Sequence, residues 1–161
     1  MRLIFWFILG FVIFGFSPSL AQEPMHLPID AKPLVITTPK GKFSYDLEIA
    51  FTSEESAAGL MYRIDFPKNR AMLFKFSNMR VIDMWMANTP LPLDMLFINE
   101  KGKIVAIAEN TVPYSTDIVS SGVPAAFTIE LNAGEVNDKQ IKENQYVDHP
   151  AICNPCEVTQ Q

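Results

Sequence analysis

Along residues 42–51 apolar and polar side chains alternate: Phe43, Tyr45, Leu47, Ile49 and Phe51 fall between Lys42, Ser44, Asp46 and Glu48. A period of two belongs to a pleated strand and cannot form a helical stripe, so this run commits the chain to a sheet with one buried face here. Shorter apolar runs follow at residues 71–76, 80–86, 93–99, 103–109 and 125–131, separated by Asn, Gly and Pro. Gly102 sits at the tip of "NEKGK", which reads as a hairpin between two of them. Helix signals are weak by comparison. Ser53 before Glu54 and Glu55 is a capping arrangement for a brief helix ahead of Gly59, and Ala133-Gly134-Glu135 begins at most one more short turn. Many short strands with little helix predict a mainly β (α+β) fold: a small antiparallel barrel-like sheet with one or two short helices.

The chain does not begin with that domain. Met1-Arg2 precedes an uncharged run, residues 3–16, and small residues stand three and one places before Gln22. This is the three-part pattern of a secretory signal peptide, residues 1–21, cleaved after Ala21. The expected location is therefore periplasmic or secreted, with no stable membrane insertion after cleavage. A retained anchor is the alternative, but the apolar core is short for a span of about 20 residues. Residues 22–33, with Pro24, Pro28 and Pro33, read as an extended N-terminal arm, residues 34–148 as the β-rich domain, and residues 149–161 as a loose C-terminal tail.

Charge and residue inventory exclude several functions. Loss of Arg2 with the leader leaves 12 basic against 18 acidic residues, so nucleic acid is not an expected partner. The only histidines, His26 and His149, lie in the terminal segments, and the central domain has no cysteine, so Ser-His and Cys-His nucleophilic devices are missing there. No glycine-rich phosphate loop occurs and no cofactor is expected. Cys153 and Cys156 form a CxxC pair in the tail. In an oxidising compartment they read first as a local disulfide. Metal binding with His149 would supply three ligands where a structural zinc site wants four, and redox chemistry would lack its usual βαβ setting.

The stretch "WMANTPLPLDMLF", residues 85–97, holds the candidate site. Asp94 stands on a strand whose two faces are both largely apolar, so its charge must be paired or neutralised, and Arg63 is one possible partner. Asn88 and Thr89 precede two prolines, where their side chains can bond the turn backbone, and Trp85 beside them would supply a stacking surface. The structural alternative is that Asp94 and Asn88 serve the turn and Trp85 the core. Partial pairing of Asp94 with an accessible edge is expected. Glu109 and Glu130 read as ordinary exposed strand carboxylates, with Glu109 a second-rank site candidate. Most of the methionines read as core filler rather than as metal ligands.

Five blocks, "SEESAAGLMYR" (53–63), "AMLFKF" (71–76), "DMWMANTPLPLDMLFIN" (83–99), "GKIVAIAEN" (102–110) and "GVPAAFTIELNAGE" (122–135), resemble in order and spacing the prokaryotic family called domain of unknown function 192. The resemblance spans about residues 34–148 and implies a compact β-rich domain, often exported, with no assigned biochemical function. Ala71 stands where a glycine is common in that family, and Ala87 where a lysine is common, which removes a contact for an anionic ligand. The cysteine tail lies outside the resemblance.

The expected function is a non-catalytic binding module for a small molecule or glycan, with Trp85, Asn88, Thr89 and Asp94 as the site and Arg63 and Glu109 beside them. The alternatives are a carboxylate-dependent hydrolase using Asp94 and Glu109 as a pair across one cleft, and an envelope assembly partner recognised by an exposed apolar patch.

Overall fold

A computed structural model describes residues 23–153. In chain order the elements are β1 (Leu34–Thr38), β2 (Gly41–Ala50), α1 (Ser53–Ala58), β3 (Arg70–Met84), β4 (Leu93–Ile98), β5 (Ile104–Ala108), β6 (Val119–Asn132), α2 (Glu135–Lys139) and β7 (Tyr146–Asp148). The strands form one curled half-barrel sheet in the order β5-β4-β6-β3-β2-β1-β7. The mainly β fold with two short helices is as the sequence predicts, with one exception to its antiparallel character. β2 and β3 run parallel, from Asp46 opposite Arg70 to Ala50 opposite Phe74. A parallel pair needs a crossover, and α1 with the segment after it supplies one.

The runs 71–76 and 80–86 belong to a single strand, β3. Between Lys75 and Arg80 it carries a long bulge, while β6 passes only from Phe127 to Ala125. The polar "SNMR" segment that looked like a break is that bulge, and it re-aims the end of β3.

Both faces of the sheet are covered. All seven strands contribute to one core, which includes Ile36, Leu47, Leu73, Leu96, Ile129 and Val147 together with Val136 of α2. Met72, Phe74, Met95 and Phe97 form a second core on the other face, under Leu60, Phe66 and Met86. β2 therefore departs from a simple half-buried strand: the polar face of its first half is open, but Glu48 near its end is buried. Phe51, past the end of the strand, is exposed.

Helix α1 is capped one residue earlier than predicted. The Thr52 hydroxyl accepts from the Glu55 amide, and the Glu55 carboxylate accepts from the Thr52 and Phe51 amides, forming a capping box. Its exit, Gly59, has φ +46, and a Cβ there would lie 3.2 Å from the Phe74 ring. Conformation thus favours glycine here, and a larger residue would also press on the Phe74 ring.

The arm is extended as predicted, and it is also anchored. The Asp30 amide donates to Leu47 O at 2.7 Å, and Met25 and Leu27 pack on the second core. The start of the tail is not loose: His149 is buried with Nε2 3.1 Å from Lys32 O, and Ile152 joins the first core. Cys156 lies outside the described residues, as does the leader.

Candidate functional site

Two loops and the bulged end of β3 enclose a cleft over the second core. The α1 exit brings Gly59, Leu60 and Met61; β3 brings Phe74, Phe76, Asp83 and Met84; the segment after it brings Trp85 and Thr89. The cavity measures about 190 Å³, room for a small organic group. Its rim is stitched by backbone: the Tyr62 amide donates to Asn88 O at 2.7 Å, and both residues have positive φ. Trp85 is 51% exposed, so one side of its ring is available at the mouth.

Glu130 of β6 forms part of the wall. In register it sits between Met72 of β3 and Met95 of β4, in the middle of the sheet. It is only 4% exposed, and its Oε2 has no hydrogen-bond partner among the described residues. The same holds for the Thr128 hydroxyl, two residues away on the same face. Burial pushes the Glu130 carboxyl from its ordinary 4.5 up to about 8, against the opposing pull of Arg63. At neutral pH the group is mostly the neutral acid and can donate a hydrogen bond. Buried polar atoms are normally satisfied, so two such orphans on one face are unusual, and of the two only Glu130 lines the cleft.

Arg63 lies nearby but does not meet Asp94. Its guanidinium grips Glu48 of β2 in a fork, Nη1 to Oε1 at 2.9 Å and Nη2 to Oε2 at 2.5 Å. Arg70 adds a third bond to Glu48 at 3.0 Å, and the Leu27 amide a fourth at 3.2 Å. Burial opposes the Glu48 charge, but these donors prevail and hold its carboxyl below the usual range. Arg63 Nε also donates to Met25 O at 2.7 Å, so the cluster fixes the arm.

Asp94 is 0% exposed and has no accessible edge. Its Oδ1 accepts from the Asn110 amide at 2.8 Å and its Oδ2 from the Val136 amide at 2.9 Å. It thereby ties β4 to the loop after β5 and to the first turn of α2, whose own N-cap, Gly134, has no side chain to offer. Asp94 pairs in register with Leu131, one residue along from Glu130, so the two carboxyls point to opposite faces of the sheet. The expected Arg63–Asp94 pair is corrected on these grounds, because the backbone amides satisfy Asp94 and Glu48 satisfies Arg63.

Of the six predicted residues, Trp85 and Thr89 line the cleft. Asn88 is exposed at its rim, where Nδ2 lies 3.9 Å from Met61 Sδ. Arg63 is buried in the Glu48 cluster, Asp94 faces α2, and Glu109 is exposed just past β5, outside the cleft. Glu130 was the residue missed. An isolated strand reads its acid as solvent-facing; only its place in an interior strand, covered on both faces, buries it. The run "AAFTIEL" gave little signal, because Ala125, Phe127, Ile129 and Leu131 alternate with Ala126, Thr128 and Glu130 as in a half-buried strand.

A second, more polar hollow of about 340 Å³ adjoins the cleft, sharing Ser56 and Phe76, and carries Lys75 and Arg80. Arg80 lies over the Phe76 ring at 5.2 Å, and that ring lines both hollows.

The family model described as "Uncharacterized ACR", domain of unknown function 192, matches residues 35–149. This chain belongs to that family. No curated protein matches it. Among solved structures, a domain of unknown function 192 chain such as this one is similar to a Sinorhizobium meliloti 1021 protein provisionally described as a transcription regulator. The two are 36% identical with a TM-score of 0.72, over 77% of this chain and 97% of that one. A protein of unknown function from Novosphingobium aromaticivorans DSM 12444 is similar at 30% identity and a TM-score of 0.71, over 80% of this chain and 94% of that one.

Proposed function

We propose that this domain of unknown function 192 protein is an exported, non-catalytic binding module that takes a small molecule, or one unit of a glycan, into the cleft between Trp85 and Glu130. The observation that carries the reading is the buried Glu130 carboxyl, unpartnered at Oε2, at the wall of an open cleft with an exposed tryptophan ring at its mouth. Aromatic and apolar walls with one convergent polar group are the usual make-up of a small-ligand site. The hydrolase alternative loses its support, because Asp94 is consumed by backbone amides and Glu109 lies outside the cleft. The net charge of −5 speaks against nucleic acid as the partner.

The export part of the proposal rests on the leader pattern at residues 1–21, and a Cys153–Cys156 disulfide would suit the periplasmic or secreted location. Thermal unfolding across a library of metabolites and cell-wall fragments tests the binding part. A true ligand raises the melting temperature in a concentration-dependent way and changes Trp85 fluorescence. Shifts that persist undiminished in Trp85→Ala and Glu130→Gln would place binding elsewhere and sink the reading.

A further inference from the structure

Among the described residues, the ionisable ones lining the cleft are Glu130 and Asp83, and no lysine or arginine lines it. Its rings are Phe74, Phe76 and Trp85. Lys75 and Arg80 line the neighbouring hollow, which shares Phe76 with the cleft. The nearest buried cation, Arg63, has its guanidinium taken up by the fork to Glu48, and Arg70 shares the same carboxylate. Neither β4 nor the rest of β6 adds a charged group to this face, since Asp94 points to the other.

From this arrangement we infer that the ligand is a small organic cation, whose ammonium group sits between the Glu130 carboxyl and the face of Trp85, with Asp83 at the mouth. The inference rests on the binding reading above and narrows it to a ligand class. Each ligand class engages this wall differently. An anion would meet Asp83 and the negative faces of the rings. A neutral acceptor would use the Glu130 proton but leave Asp83 and the ring quadrupole idle. A cation engages all three, and its aliphatic part fits the apolar remainder of a cavity of about 190 Å³.

The neutral acid Glu130 binds the ammonium ion, loses its proton to solvent and becomes the carboxylate partner of the bound cation. No other bond is made or broken. Because burial holds the free carboxyl's pKa near 8, binding at pH 7 releases close to one proton per ligand. Affinity should rise about tenfold per pH unit below pH 8 and level off above it.

Three probes of equal chain length test this on the purified protein: butylammonium, butan-1-ol and butyrate, titrated by calorimetry and by the Trp85 indole NMR signal. Butylammonium should bind tightest, and calorimetry in buffers of different ionisation enthalpy should read the released proton directly. Glu130→Gln should abolish both the proton release and the pH dependence, and weaken butylammonium at pH 8 at least tenfold. If butan-1-ol or butyrate moves the Trp85 signal while butylammonium does not, the cleft binds ligands but the cation inference is overturned. Butylammonium binding without proton release below pH 8 overturns it as well, and this needs no variant. If none of the three binds, the cation inference is overturned, and the library screen on the same protein decides separately whether the cleft binds any small molecule.

Discussion

Glu130 offers a stability measurement that depends on no ligand. Its carboxyl is buried, and its proton is held up to about pH 8 in the folded chain, against an ordinary 4.5 in an unfolded one. Between those two pH values the unfolded state has lost the proton and the folded state keeps it. Folding is therefore favoured most below about pH 4.5 and weakens as pH rises, until the folded carboxyl also ionises near pH 8. At about 1.4 kcal/mol per pH unit, the interval corresponds to about 5 kcal/mol. Glu130→Gln keeps the shape and cannot titrate, so the stability difference between variant and wild type should move in the variant's favour by about 5 kcal/mol from pH 4.5 to pH 8.5. Taking the difference cancels every group the two proteins share. Urea unfolding at four pH values across that range, fitted with a common slope, measures it. A difference that changes by less than about 1 kcal/mol would mean that Glu130 is solvated or paired, and the account of the cleft wall would fall.

Three further outcomes follow from the geometry. Asp94→Asn replaces one amide acceptor with a donor facing a buried N–H, so denaturant melts should show a loss of about 2 to 3 kcal/mol with butylammonium binding unchanged. Arg63→Ala leaves Glu48 buried with its main partner gone; it should cost about 3 to 5 kcal/mol and expose the arm before Asp30 to limited proteolysis faster than wild type is cut. Gly59→Ala, at φ +46 and against the Phe74 ring, should lower stability by about 1 to 3 kcal/mol in thermal unfolding, and a neutral result would show that the α1 exit can relax.

What could be read from the chain divides along local and non-local lines. The alternation in residues 42–51 forecast β2, and the apolar runs forecast the β-rich fold and most of its strands, because these depend on period and punctuation alone. The parallel pairing of β2 with β3 did not show, since strand direction is set by a crossover that leaves no local signature. Trp85 and Thr89 were found because aromatic and turn chemistry is local. Asp94 was singled out correctly as a buried charge, but its partners are backbone amides of Asn110 and Val136, and backbone carries no sequence signal. Glu130 and Glu48 looked like routine strand acids. Their burial arises from neighbours brought in by strand order, which a single strand does not disclose.

The turn before β5 also meets β7. Lys103 bridges Tyr146, the Ile104 amide donates to Gln145 O at 2.9 Å, and the Val147 amide to Gly102 O at 2.8 Å. Both terminal strands of an open sheet would ordinarily invite a foreign strand, and here each blocks part of the other. Tyr146 and Val147 of β7 are engaged on their outer side, and the outward side of residues 105–108 is the stretch of β5 without a strand partner among the described residues. At these two terminal edges, strand addition by another copy of this chain or by an extended peptide is thereby limited to a four-residue template on β5.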